Sequence, residues 1–231
     1  MEFKDYSSWN EFDWELEIRK DDARVAAYIQ ELPKYIDLPG EDSILMRTIK
    51  RKLGSEKDDD EWGPVPYDES GENQEIIPFS NMMNWKNVPG GVVYHNCFLL
   101  SRDFSLAVSM GNHEKSRLRI MRILSLYGQL MARAGSLIDM FLEVENNPEA
   151  REEYEVPEQL KLALIKRLLA LQNQLTAELR LFAKEEPELK NMVEFHLETT
   201  GKMHDHLVDL LIFVREKIKN EHQDTDDFPP F

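Results

Sequence analysis

The chain has 231 residues, one cysteine and a formal net charge of −16. One cysteine excludes an internal disulfide, no run of eighteen apolar residues is present to span a membrane, and the acidic N-terminus has no apolar stretch typical of a signal peptide. We therefore predict a cytoplasmic protein without a membrane segment, whose acidic surface mostly repels bare nucleic acid.

Residues 1–54 predict an N-terminal arm of two helices. Ser8 followed by Glu11 is the pattern of a capping box, and Pro33 is predicted to end the first helix. The second helix has acidic residues in its first turn and basic residues in its last, and Gly54 is its predicted C-cap.

Aromatic residues are concentrated at the start of this arm. Such side chains are favoured anchors of protein interfaces. We interpret them either as a cap on the open end of the main body or as anchors for a partner protein, and the sequence does not separate the two. The candidate partner-binding residues here are Phe3, Trp9, Phe12 and Trp14.

The remaining chain predicts an all-α fold, an up-and-down four-helix bundle joined to the arm by an acidic linker. Residues 55–91 are rich in acidic residues and contain proline and glycine, which is typical of a linker with a short helical turn. Residues 92–220 form the predicted bundle, and residues 221–231 a flexible tail. Apolar spacing and proline positions place the helices at about 92–110, 114–144, 157–184 and 187–219.

A locally basic strip lies on the second predicted bundle helix, inside an otherwise acidic chain. One interpretation is that the acidic arm or linker neutralises it, for example through Asp21 or Asp22. The other is that the strip binds phosphate groups, including those of RNA. Its members are Lys115, Arg117, Arg119, Arg122 and Arg133.

Small residues recur on another face of the same helix, at Gly128, Ala132 and Gly135. Small side chains allow a second helix backbone to approach closely. We favour a neighbouring helix of the same bundle as the approaching element. A partner protein or a second copy of the chain is the alternative, and it makes these three residues candidates for partner binding.

The segment TTGKMHDHLVD (199–209) resembles a site because it contains two histidines and two aspartates. His204 and His206 are two residues apart, so on an α-helix they diverge by about 200° and cannot bind one metal ion. His196 is predicted on the core side, and we favour a buried histidine whose hydrogen bonding is satisfied by a threonine hydroxyl. The alternative is a small-molecule or metal site in a cavity lined by His95, Tyr127, His196 and Thr200. A metal site built from His95, His113 and His196 is a weaker hypothesis.

Motifs that would identify an enzyme are absent. The chain has no P-loop, dinucleotide or nucleophile-elbow pattern, no Glu-x-x-His pair, and no arginine five residues before a histidine, as in helical nucleases of the HEPN type. We therefore predict a non-catalytic, acidic helical accessory or adaptor subunit, without a cofactor, that binds a protein partner or itself. The alternatives are a nucleic-acid-facing subunit of a larger complex and a bundle with a small-molecule or metal site.

Overall fold

The structure, a computed structural model, describes residues 9–35, 38, 40–54, 86, 88–146 and 157–226, with backbone only at 143–146 and 221–226. These residues form six α-helices and no strand, which confirms the predicted all-α class. None of these helices combines the length and apolar character needed to cross a membrane. By internal contacts the chain divides into two units, Glu15–Ile77 and Met1–Trp14 with Pro78–Phe231.

Helix α1 spans Glu11–Tyr35 and differs from its prediction at both ends. The cap is formed by Asn10, whose Oδ1 accepts the backbone N–H of Phe12 at 2.8 Å, while Asp13 Oδ2 accepts the N–H of Asn10 at 3.0 Å. This is the reciprocal capping pattern, two residues after the predicted one, and Ser8 lies outside the described residues. The helix does not end at Pro33, as predicted, but continues for two residues to Tyr35. Pro33 has no backbone N–H, so α1 lacks one backbone hydrogen bond at this position.

Helix α2 spans Glu41–Leu53. Gly54 is its C-cap in the left-handed conformation (φ 66°), and its N–H bonds to the carbonyl of Lys50, so this prediction is confirmed. Within the unit Glu15–Ile77, Glu31 of α1 is buried and pairs with Lys34 and with Lys52 of α2. These two hydrogen bonds hold the pKa of Glu31 below its usual value.

The four helices of the larger unit are α3 (Gly91–Ser109), α4 (Arg117–Asn146), α5 (Glu158–Glu185) and α6 (Lys190–Asp226). Short 3₁₀ turns, Glu114–Ser116 and Pro187–Leu189, precede α4 and α6. Helix α6 enters the segment predicted as a flexible tail, residues 221–231, and ends at Asp226. Helix α6 extends that far because the segment contains no glycine or proline before Pro229.

The contacts of α3 to α6 are consistent with the predicted up-and-down four-helix bundle. Each helix packs on the next along the chain, and α3 also contacts α6. Arg119 near the start of α4 pairs with Glu178 near the end of α5. Glu158 at the start of α5 pairs with Lys217 far along α6. Pairing of an early residue with a late one is what antiparallel neighbours require. Gly90 (φ 90°) is the N-cap residue of α3, and the backbone of Ala134 leaves little room for a side chain there.

Large apolar side chains fill the space between these helices. Phe104 of α3 lies with its ring centroid 5.2 Å from that of Phe182 of α5, across the middle of the bundle. Leucines dominate the remaining core, and burying each one fully contributes about 1.5–3 kcal/mol before conformational entropy is subtracted. The core residues with no exposed surface include Phe104, Ile123, Tyr127, Ala134, Leu137, Ile165, Leu168, Leu175, Leu179, Phe182, Leu207 and Val214.

Candidate interaction surface and polar centres

The outer face of α4 is uncharged over several turns and open to solvent. Leu118 and Met121 are 84% and 62% exposed. The small residues Gly128 and Ala132 are exposed on the same side of the helix, and Gly135 is half-buried. We call Leu118, Met121, Gly128, Ala132 and Gly135 the α4 outer face.

In the described part of the chain, no neighbouring helix contacts the space above the two glycines of this face. A Cβ atom built at Gly128 or at Gly135 would meet nothing within 4 Å in the described part of the chain. The favoured prediction, that a helix of the same bundle approaches here, is therefore wrong for the described residues. A glycine inside a helix costs about 1 kcal/mol relative to alanine, and no internal contact accounts for that cost.

The residues along this face are arranged symmetrically about Gly128. Arg117, Met121, Gly128, Gly135 and Asp139 follow at spacings of four, seven, seven and four. Seven residues are nearly two helical turns, so all five lie on one side of α4. Arg117 and Asp139 are both exposed, and they mark the two ends of the uncharged stretch with opposite charges.

The basic strip on α4 is matched by glutamates of α5. Arg119 pairs with Glu178 and with Glu185, the latter at 2.9 Å, and Arg122 reaches the other oxygen of Glu178 at 2.8 Å. Hydrogen bonds from these arginines lower the pKa of Glu178 and, from Arg119, that of Glu185. For Arg119 and Arg122, the neutralising acids that the structure shows come from α5.

The other three basic residues of the strip do not join this network. Lys115 and Arg117 are exposed at the start of α4, and Arg133 is half-buried two turns beyond the network. The structure therefore does not combine the five residues into one continuous cationic surface.

The described part of the aromatic arm contacts α5. Glu11 forms an ion pair with Lys166 at 2.7 Å, and the same ammonium group lies 5.3 Å from the ring centroid of Phe12. Trp9 and Trp14 meet edge to face at 4.7 Å between centroids. Phe12 nevertheless keeps 72% of its surface exposed. Phe3 lies outside the described residues.

A polar centre lies inside the bundle around His196, which has no exposed surface. Its Nδ1 is 2.8 Å from the hydroxyl of Tyr127, and its Nε2 is 3.0 Å from Oδ2 of Asp103. The Asp103 carboxylate accepts a hydrogen bond from Nε2–H of the neutral imidazole, and Nδ1 accepts a hydrogen bond from the Tyr127 hydroxyl. Burial lowers the pKa of His196, and Asp103 opposes that shift. Burial likewise raises the pKa of Tyr127 far above its usual value.

Further polar atoms extend this centre along α6. The Thr200 hydroxyl donates to the carbonyl of His196 at 2.7 Å, and Gln172 of α5 donates to the carbonyl of Thr200. The Gln172 Oε1 atom is buried without a hydrogen-bond partner. The predicted grouping of Tyr127, His196 and Thr200 is thus present as a packed hydrogen-bonded network. His95 is half-buried on α3.

A second polar centre lies at the end of the bundle where α3 connects to α4 and α5 to α6. His113 Nδ1 is 2.9 Å from Oε2 of Glu186, and the buried Ser116 hydroxyl donates to Oε1 of the same carboxylate at 2.6 Å. These two hydrogen bonds lower the pKa of Glu186. Ligand atoms of His113, Glu186 and Glu188 all lie within 4.8 Å of one another.

The remaining histidine hypotheses have different outcomes. In the described part of the chain, His95 and His196 do not join His113 in any group of potential metal ligands. Helix α6 is continuous through His204 and His206, as the argument for their divergence requires. Nδ1 of His204 lies 3.7 Å from Oδ1 of Asp205. Nε2 of His206 is buried and has no hydrogen-bond partner among the described residues.

Comparison of the chain with models of protein families, with curated proteins and with solved structures found no match. Interpretation therefore depends on the chain's own residues.

The sequence analysis did not identify the acidic partners in the basic strip or in the two polar centres. Glu178 and Glu185 neutralise the arginines, Glu186 binds His113, and Asp103 binds His196. These acids are 56 to 93 residues from their partners, beyond the reach of local pattern analysis.

Proposed function

We propose that this protein is a non-catalytic, acidic helical adaptor that assembles through the α4 outer face, in the first place with a second copy of itself. The supporting observation is the open stretch about Gly128, where two glycines and exposed apolar side chains lie together, and no contact among the described residues explains them. Close approach of two helix backbones is the use that such a surface fits best.

The arrangement of residues favours an antiparallel pair of α4 helices related by a twofold axis near Gly128. In such an interface each residue faces the one equally far on the other side of the axis. Met121 of one copy then faces Gly135 of the other, so that a large side chain fills the space above a glycine. Gly128 meets its own copy, which permits the closest approach at the centre.

Charge complementarity supports the same orientation. Arg117 and Asp139 are each eleven residues from Gly128, about 16 Å along the helix at 1.5 Å per residue. An antiparallel pair places Arg117 of each copy opposite Asp139 of the other. A parallel pair would instead place like charges together at both ends, which is unfavourable. The net charge of −16 opposes association only weakly, because charges farther apart than about 8 Å are screened at physiological salt.

The surface is tested by a matched pair of glycine substitutions. Gly128 and Gly201 are both exposed in the interior of a long helix, and a Cβ at either meets nothing within 4 Å among the described residues. Gly128→Leu and Gly201→Leu should therefore both fold. In sedimentation velocity the wild type and Gly201→Leu should dimerise with rising concentration, whereas Gly128→Leu should remain monomeric.

The adaptor function is tested by affinity purification of the same three proteins from the native cell, followed by quantitative mass spectrometry. Proteins that wild type and Gly201→Leu retain, and that Gly128→Leu loses, depend on the α4 outer face or on the dimer it forms. Equal partner sets for the three proteins would contradict this use of the surface.

A nucleic-acid-facing function finds less support. Arg119 and Arg122, at the centre of the basic strip, are already paired with glutamates of α5. Binding of phosphate there would leave Glu178 and Glu185 beside the phosphate group, where like charges repel.

A further inference from the structure

The cluster of His113, Glu186 and Glu188 has the composition and spacing of a metal site. Its three ligand atoms lie within 4.8 Å of one another, although His113 and Glu186 are 73 residues apart in sequence. Each comes from a short connection, since His113 and Glu186 directly precede the two 3₁₀ turns and Glu188 lies within the second.

The inner ligands of this cluster are held in place by their surroundings. The His113 and Glu186 side chains are only 8% and 10% exposed. The hydroxyl of Ser116 fixes Oε1 of Glu186, so Oε2 is the oxygen directed at the imidazole. Such outer hydrogen bonds orient metal ligands and are a regular part of metal sites.

A close backbone approach positions the imidazole as well. A Cβ atom added at Gly111 would lie 2.4 Å from Nε2 of His113 and 2.9 Å from Cε1, so a larger residue would displace the ring. The ring is therefore packed against the Gly111 backbone on its Nε2 side. Its Nδ1 side is directed at the carboxylate.

The donor set determines which class of ion fits. One imidazole nitrogen with two carboxylate oxygens suits Zn²⁺ and similar divalent transition ions, whereas Mg²⁺ and Ca²⁺ prefer oxygen ligands alone. Glu188 is exposed, so the cluster is open to solvent on one side. Water can supply the fourth ligand of a tetrahedral zinc ion from that side.

We propose that His113, Glu186 and Glu188 form a binding site for a divalent transition ion of the Zn²⁺ class. The ion takes the place of the hydrogen bond between His113 and Glu186 and joins the α3–α4 connection to the α5–α6 connection. Because the site is formed only in the folded chain, binding stabilises the bundle in proportion to the logarithm of the metal concentration. This site is independent of the α4 outer face.

The test uses the full-length protein, Zn²⁺ and isothermal titration calorimetry. Glu188→Gln removes the exposed ligand without disturbing the core. Glu114→Gln is the matched control, since Glu114 is also exposed in a 3₁₀ turn at this end of the bundle but is not one of the three ligands. The wild type should bind one Zn²⁺, and Glu188→Gln should weaken binding by about tenfold or more, as loss of a metal-site group does. Glu114→Gln should change it by less than about twofold, as expected of an exposed charge outside the site.

A second readout identifies the imidazole. Zn²⁺ should shift the ring resonances of His113 in nuclear magnetic resonance spectra and raise the melting temperature, and Mg²⁺ at the same concentration should do neither. The proposal is overturned by absence of saturable Zn²⁺ binding, by equal weakening in Glu114→Gln and Glu188→Gln, or by shifts confined to other histidines.

Discussion

The two sides of helix α4 differ in how far their side chains are buried. Its inner side carries Ile123, Tyr127, Leu130 and Leu137, all nearly or fully buried against the other bundle helices. Its outer side carries exposed Leu118 and Met121 together with open glycines, and no described internal contact requires them. The inner side is explained by the fold of one chain. For the outer side we propose a partner outside the chain, and we place function there.

The largest expected difference between the two sides is in the free energy of unfolding. Leu130→Ala leaves a cavity in the core and should destabilise the protein by about 2–5 kcal/mol. Met121→Ala, on the outer side, should change the stability of the monomer by less than about 0.5 kcal/mol. Urea unfolding at low protein concentration measures both. Similar losses for the two variants would show that the outer side is buried within the chain.

The polar centre of the inner side gives a smaller effect. Tyr127→Phe removes the donor to Nδ1 of His196, and a buried acceptor without a partner costs about 1–3 kcal/mol. The same urea titration should show this loss, with unchanged helical content by circular dichroism. A loss below about 0.5 kcal/mol would mean that His196 obtains another donor.

The helices themselves were largely predictable, since apolar spacing, prolines and Gly54 are local signals. The partners of the polar side chains were not. Whether a given glutamate neutralises Arg119 or orients His113 depends on which helix ends meet, and that follows from packing of the whole bundle. The same limit explains why the small residues of α4 were assigned to an internal contact. Spacing shows that they share a face, but not that the face is exposed.

A modest gain in stability should accompany removal of the outer-face glycines. Gly128→Ala fits the open space, and it should stabilise the monomer by about 0.5–1 kcal/mol through helix propensity alone. Gly201→Ala should give the same gain, measured by thermal unfolding below the concentration of dimerisation. A loss of stability in Gly128→Ala alone would indicate an internal contact at that position.

The smallest predicted effect concerns pH. His196 has a pKa in the folded chain below the 6.5 of the free side chain, because burial disfavours the imidazolium, although Asp103 opposes this. The unfolded chain therefore binds the proton first. The contribution of His196 to stability is complete above pH 6.5 and is lost as the pH falls through the folded pKa.

This pH effect can be isolated by comparing unfolding free energies of the wild type and His196→Gln between pH 7.5 and 5. The difference between the two proteins should shrink as the pH falls. A difference that grows toward low pH would contradict a depressed pKa.

The central claim, that α4 pairs antiparallel with a second copy about Gly128, is tested most directly by exchanging the charges at its ends. Arg117→Asp and Asp139→Arg each place like charges together at both ends of the pair. Both positions are exposed, and an acidic residue at 117 suits the dipole at the start of α4, so the helix should remain intact. In sedimentation equilibrium each single variant should weaken dimerisation by about tenfold, since two symmetry-related pairs contribute up to about 1 kcal/mol each. The double variant should restore it. Failure of the double variant to recover, or a wild type that stays monomeric at every concentration, would contradict the account.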